Sequence, residues 1–177
     1  MASAADIASA LNAKFPGRNY EAAPLMMRAS GPGDQFYLRV VPSDLVEIMT
    51  WLHDDSACRF EQLIDLTCVD YLNFPGAVDR FGVNYSILSI THGHRLWIKV
   101  FLNEPALALP SVTPIWPGAN WMEREVYDMF GIVFEGHPDL RRILTWDGFE
   151  ANPLRKDYPL RGRGERENYE VVTRDSA

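Results

Sequence analysis

FGVNYSILSITHGHRLWIKVFL (81–102) decides the fold class. Leu96, Ile98, Val100 and Leu102 fall on one face of an extended segment, with Arg95 and Lys99 on the other, the period-2 pattern of a half-buried strand. Strands are predicted over about 79–91 and 94–103, and His92-Gly93 fits a tight hairpin turn with Gly at positive φ. A hairpin makes its two strands antiparallel. Upstream, a further strand is predicted at about 60–70, and QFYLRVV (35–41) alternates Phe36, Leu38 and Val40 against Tyr37, Arg39 and Val41. Pro42-Ser43 opens a helix with Ser43 as its cap. Leu45, Ile48, Met49 and Leu52 give that helix an apolar stripe, and His53, Asp54 and Asp55 close it. A first helix over 3–15 has Ser3 and Asp6 at capping-box spacing, with Ile7, Ala10, Leu11 and Phe15 on its inner face. Pro16-Gly17 stops it, and the stretch with Pro24 and Gly31-Pro32-Gly33 reads as turns. The order α-β-α-β-β-β predicts an α+β fold: a mixed, largely antiparallel sheet with helices on one face.

The chain has 177 residues, 47% apolar and 23% charged, enough for one domain with a sizeable core and an appended arm. No apolar run approaches the roughly 18–20 residues of a membrane helix. The N-terminus resembles neither a secretory signal nor an Arg-rich transit peptide. A formal charge of −7 argues against nucleic acid as a partner. Two cysteines, Cys58 and Cys68, are too few for an iron–sulfur cluster or a Cys-only zinc site, and read as free thiols.

Composition shifts near residue 104, where Pro105, Pro110, Pro114 and Pro117 punctuate a loop. The division is a body over 1–134 and an extended, non-regular C-terminal arm over 135–177. Residues 141–166 carry seven basic and four acidic side chains, so an acidic body has a locally basic arm. Its apolar residues, among them Leu140, Leu144, Leu154 and Tyr158, are spaced as anchors for wrapping a partner.

NWMEREVYDMF (120–130) is predicted to be a helix, with Asn120 and Glu123 as a capping box and Gly131 as the stop. Met122, Val126, Met129 and Phe130 share one arc. Arg124 is spaced to pair with Asp128 and to neutralise Glu125. Two readings stay open for these acids. Glu125 and Asp128 serve as a general acid and base, or as metal ligands with His137, in a hydrolase. Alternatively they are structural or interface charges. His92 and His94 have zinc-ligand spacing, but they flank the hairpin Gly93 and read as solvated turn residues. Nucleophile elbow, P-loop and dinucleotide fingerprint are all absent.

EREVYDMFGIVFEGHPDLRRIL (123–144), followed by PLRKDYPLRG (153–162), closely resembles the C-type subunit of NADH–quinone oxidoreductase, respiratory complex I. The pattern is met at Glu123, Arg124, Glu125, Asp128, Met129, Phe130, His137, Arg141, Ile143 and Leu144. Pro138, Asp139, Leu140 and Arg142 complete the first block. Pro153, Leu154, Arg155, Lys156, Asp157, Tyr158 and Pro159 carry the second.

The resemblance implies a small α/β domain with an extended arm, in the hydrophilic part of a proton-translocating enzyme. It implies a scaffold that is not catalytic alone and binds no cofactor. FMN and iron–sulfur clusters would sit in partner subunits of the D, B and I types, with NADH and quinone as the complex's substrates. It implies a separate bacterial subunit, peripheral on the cytoplasmic side of the inner membrane and membrane-associated only through the complex. An equivalent subunit of a related membrane-bound hydrogenase, or of another quinone- or ferredoxin-linked oxidoreductase, would look similar. On this reading Glu123 caps its helix, and Arg141, Arg142, Arg155 and Lys156 meet acids on partners.

Overall fold

A computed structural model describes residues 4–27 and 31–164. Ser3 and the arm beyond residue 164 lie outside the described residues. The elements are α1 (Ala4–Lys14), β1 (Ala22–Met27), β2 (Gly31–Val40), α2 (Leu45–Asp54), β3 (Gln62–Asp70), β4 (Phe81–Ser89), β5 (His94–Leu102), β6 (Ala108–Pro110), α3 (Ala119–Phe130) and β7 (Val133–Glu135). The main sheet runs β1-β2-β5-β4-β3. Its β2–β5 pair is parallel, while β1–β2, β5–β4 and β4–β3 are antiparallel. The mixed, largely antiparallel sheet is as expected. β6 and β7 form a separate parallel pair, and β7 runs across the expected body–arm boundary.

The hairpin 81–102 is as its alternation demanded. Tyr85 faces Ile98 and Val83 faces Val100 across β4–β5, and all four are fully buried. Gly93 closes the turn at φ 65. Leu45, Ile48, Met49 and Leu52 of α2 are fully buried too, and each contributes about 1.5–3 kcal/mol by leaving water. The buried residues of α1, α2 and α3 share one core with Leu96, Ile98, Val100 and Leu102 of β5.

Four local expectations are corrected. The turn-rich stretch at 22–33 contains a strand, β1, antiparallel to β2. β1 is an edge strand with a register break between Pro24 and Met26, and edges and bulges are where a sheet tolerates proline. On α1 the inner face holds Ala8, while Ala10 is exposed. Ser43 does not cap α2: a 3-10 turn, Pro42–Asp44, leads in, and the Ser43 hydroxyl donates to Asp44. Asp44 is buried, accepting from the Tyr20 hydroxyl at 2.8 Å and pairing with Arg18 at 3.1 Å. Finally, His92 and His94 are not merely solvated turn residues. Their rings stack at 5.6 Å, and both ring nitrogens of His94 are buried beside Phe60.

Candidate functional site

The arc of α3 holding Val126, Met129 and Phe130 is buried as predicted, and Gly131 ends the helix at φ 77. The expected capping box is absent. α3 starts at Ala119 after Gly118, with no side-chain cap. Glu123 is fully buried and reaches sideways to the segment after β6. There it accepts the Val112 N–H at 2.7 Å and the Ser111 hydroxyl at 2.7 Å. Burial pushes its carboxyl up to about 7, against the two hydrogen bonds that favour the ionised form.

Asp128 is also fully buried, and it does not pair with Arg124. Its Oδ2 accepts the N–H groups of Ile143, Leu144 and Thr145 at 3.0, 2.8 and 2.9 Å. Its Oδ1 accepts the Thr145 hydroxyl and pairs with Arg142 Nη1 at 2.7 Å. Burial opposes ionisation, but the bonds from Thr145, Leu144 and Arg142 outweigh it and hold the carboxyl at about 2. Arg124 instead donates to the carbonyls of Arg141 and Arg142, both at 3.1 Å.

The segment after β7 is thus a strap over α3. A helix leaves its last four carbonyls without intrahelical partners. In α3 the cap Gly131 N–H reaches Tyr127 O at 2.8 Å, and the carbonyls still open belong to Asp128, Met129 and Phe130. Asn152 donates to Tyr127 and Asp128 O at 3.4 and 3.0 Å. Leu154 N–H donates to Met129 O at 3.1 Å, and Arg155 Nε to Phe130 O at 2.6 Å. At its far end the strap meets the body's acids. Arg155 pairs with Glu104 at 2.9 Å, Lys156 N–H donates to Asp70 at 2.8 Å, and Asp157 pairs with Arg80 at 2.8 Å. Close approach also explains Gly131: a Cβ there would sit 2.7 Å from Asn152 Oδ1.

This geometry does not assemble the hydrolase constellation. Every Asp128 oxygen is bonded, Glu125 is exposed, and His137 lies at the opposite end of α3. His137 Nε2 donates to Asn120 O at 3.0 Å while its Nδ1 accepts the Asp139 N–H at 3.0 Å. Among the described residues no group of three or more His, Cys, Asp or Glu is arranged to hold a metal ion. Cys58 and Cys68 are buried free thiols, pushed by burial up to about 11 and about 12.

Two of the four cations expected to meet partner acids, Arg142 and Arg155, are engaged within the chain. Arg141 makes an exposed pair with Asp139, at 2.9 Å. Of the expected anchors, Leu140 packs against the core, while Leu144 and Leu154 are 63% and 51% exposed. Leu144, Trp146, Phe149, Tyr158, Leu160 and Arg161 line a groove of about 570 Å³ on the strap. The fasteners Ser111, Asn152, Arg80, Asp70 and Glu104 were not singled out from sequence. Their partners are 12 to 86 residues away along the chain, which no local pattern marks.

Fold and strap together define a class of protein: a mixed α+β body with an irregular C-terminal segment fastened across its last helix. The chain belongs to the family described as "Respiratory-chain NADH dehydrogenase, 30 Kd subunit", whose model matches residues 38–164. It is 49% identical over 129 residues to "NADH dehydrogenase [ubiquinone] iron-sulfur protein 3, mitochondrial" of Candida albicans, covering 73% of this chain and 45% of that protein. It is 51% identical over 129 residues to the C-type subunit of the NADH-quinone oxidoreductase of Methylobacterium sp. (strain 4-46), covering 73% of this chain and 58% of that protein. The chain thus spans about half the length of these curated relatives. Among solved structures, "Nqo5 of the trypsin-resistant fragment (1-134)" is 35% identical with a TM-score of 0.58, covering 68% of this chain and 89% of that one. A chain from the archaeal "membrane-bound sulfane sulfur reductase (MBS)" shares the fold, with a TM-score of 0.69 at 21% identity, covering 96% of this chain and 92% of that one.

Proposed function

We propose that the chain works as a peripheral-arm subunit of a proton-translocating NADH–quinone oxidoreductase. It is a scaffold, not a catalyst: it positions neighbours that hold FMN and iron–sulfur clusters, and NADH and quinone are substrates of the whole complex. The D-, B- and I-type subunits are its expected neighbours. It sits at the cytoplasmic side of the inner membrane and is held there through those neighbours. Among the described residues no helix is long and apolar enough to cross a membrane, which is consistent with that placement.

The observation that carries the reading is the apolar groove on a strap of family-typical sequence. Leu144 and Leu160 are 63% and 104% exposed beside Trp146, Phe149 and Tyr158. A contiguous apolar surface with a polar rim marks a protein contact. The carboxylates of α3 support the same view, because both buried ones serve the chain's own backbone.

The test is a tagged pull-down from solubilised membranes, read by mass spectrometry and NADH–quinone activity. Flavin-, cluster- and membrane-subunits should co-purify with activity. The double variant Leu144→Asp, Leu160→Asp should lose them while keeping its circular dichroism. A chain recovered alone, or with nickel-hydrogenase subunits, overturns the proposal.

A further inference from the structure

The three helices put their buried residues on one side of the main sheet. The strand registers place another set on the opposite side. Tyr37 lies beside Trp97 and Arg39 beside Lys99 across β2–β5, and Lys99 faces Asn84 across β5–β4. Tyr37, Trp97 and Lys99 are half-buried, and Arg39 and Arg95 are exposed.

The charges of this face are unevenly matched. Arg39 lies over the Phe101 ring at 4.6 Å and pairs with Asp79 at 2.8 Å. Lys99 lies over the Tyr37 ring at 4.4 Å. Among the described residues, no carboxylate lies within ion-pair distance of Lys99 or of Arg95. Asp65 of β3 is exposed on the same face, in register with Ser86. Burial pulls the Lys99 ammonium below its ordinary pKa. Two cations without a carboxylate partner among the described residues therefore stand on an aromatic shelf, in a chain whose formal charge is −7.

We infer that this open sheet face is a second docking surface, taking an acidic segment of a neighbouring protein whose carboxylates pair with Lys99 and Arg95 across Tyr37 and Trp97. A carboxylate over a half-buried ammonium completes the ion pair that the described residues leave open. Flat aromatic rings give the same segment contact area with little side-chain ordering. Nucleic acid fits less well, because phosphate binding is built from many cations and, among the described residues, this face has two that lack a carboxylate partner. The inference rests on the assembly reading above and adds a face that the strap does not use.

The test uses the intact complex purified from membranes, with a carbodiimide as zero-length coupler of lysine amines to carboxylates. Lys99 should be recovered joined to an Asp or Glu of another polypeptide. Reductive methylation of Lys99 should be slowed at least about tenfold in the complex relative to the free chain, as expected for a desolvated pair. Lys99→Glu should weaken retention of that polypeptide, and reversing the charge of the identified acid should restore it. If the other subunits co-purify but Lys99 is methylated equally fast in both states, this face is open and the inference fails while the assembly reading stands. Ultraviolet cross-linking of Trp97 to co-purified RNA would overturn it in favour of nucleic acid. A chain recovered alone overturns both readings.

Discussion

Asp128 takes five hydrogen bonds from the strap, and its charge is matched by a single guanidinium. Removing one member of a buried pair leaves the other charge stranded. Asp128→Ala should therefore destabilise the fold by about 3 kcal/mol, read from urea denaturation. A loss below about 1 kcal/mol would mean that water replaces the carboxylate and the clamp is dispensable. Glu123 has a different dependence. Among the described residues no cation pairs with it, so its ionised form is tolerated only through Val112 and Ser111. Neither role was legible in the sequence. The spacing of Glu123 from Asn120 is that of a capping box, and Arg124 is spaced to meet Asp128. In both cases a tertiary donor displaced the local one. The donors to Asp128 are chiefly backbone N–H groups of 143–145, which any residue type supplies.

Among the elements, the strands with strict alternation were the readable ones. β4 and β5 declare themselves because one face is fully apolar. β1 does not, because Pro24 and the Gly31-Pro32-Gly33 run are turn signals that an edge strand tolerates. The strap lacks any period, and its order comes from bonds to α3. Two predictions belong at this scale. Gly131→Ala forces a Cβ against Asn152 at a φ of 77, where L-residues lose about 1–2 kcal/mol. Amide exchange at 143–145 and 154 should accelerate well beyond that of β4, and equal protection would show that the strap does not depend on this crossing. Arg155→Glu should free the strap from Phe130 and repel Glu104. Trypsin should then cut at Arg161 and Arg163 many times faster than in the parent, with the sheet's circular dichroism retained. Unchanged cleavage would place the latch elsewhere, at Arg80 and Asp157.

For the whole molecule, Glu123 and Asp128 pull the pH profile in opposite directions. Glu123, raised to about 7, holds a proton in the folded chain that the unfolded chain releases in the ordinary carboxylate range. Folding is thus favoured below that range, and stability falls as pH rises towards 7, by about 3 kcal/mol for this group. Asp128, held down to about 2, acts the other way. Its stabilisation is present above the ordinary aspartate range and is lost as pH drops towards 2. The two together place an optimum in mildly acid solution. Glu123→Gln should flatten the neutral side of the profile and leave the acid side intact. Parallel urea-midpoint curves for parent and variant between about pH 4 and 8 would refute the assignment.

The strap also imposes an order on synthesis. Translation proceeds from the N-terminus, so α3 leaves the ribosome while residues 142–155 are still enclosed in its exit tunnel. In that interval the helix has a carboxylate at Asp128 and the carbonyls of Asp128, Met129 and Phe130 with nothing to bond but water. Docking it on β3 then would strip that water without replacement, which is unfavourable. The nascent body therefore waits, with its last helix solvated, until the late-made strap arrives to cover both. A nascent chain exposed only as far as residue 141 would have β1 to β7 outside the ribosome and its final helix still unable to settle.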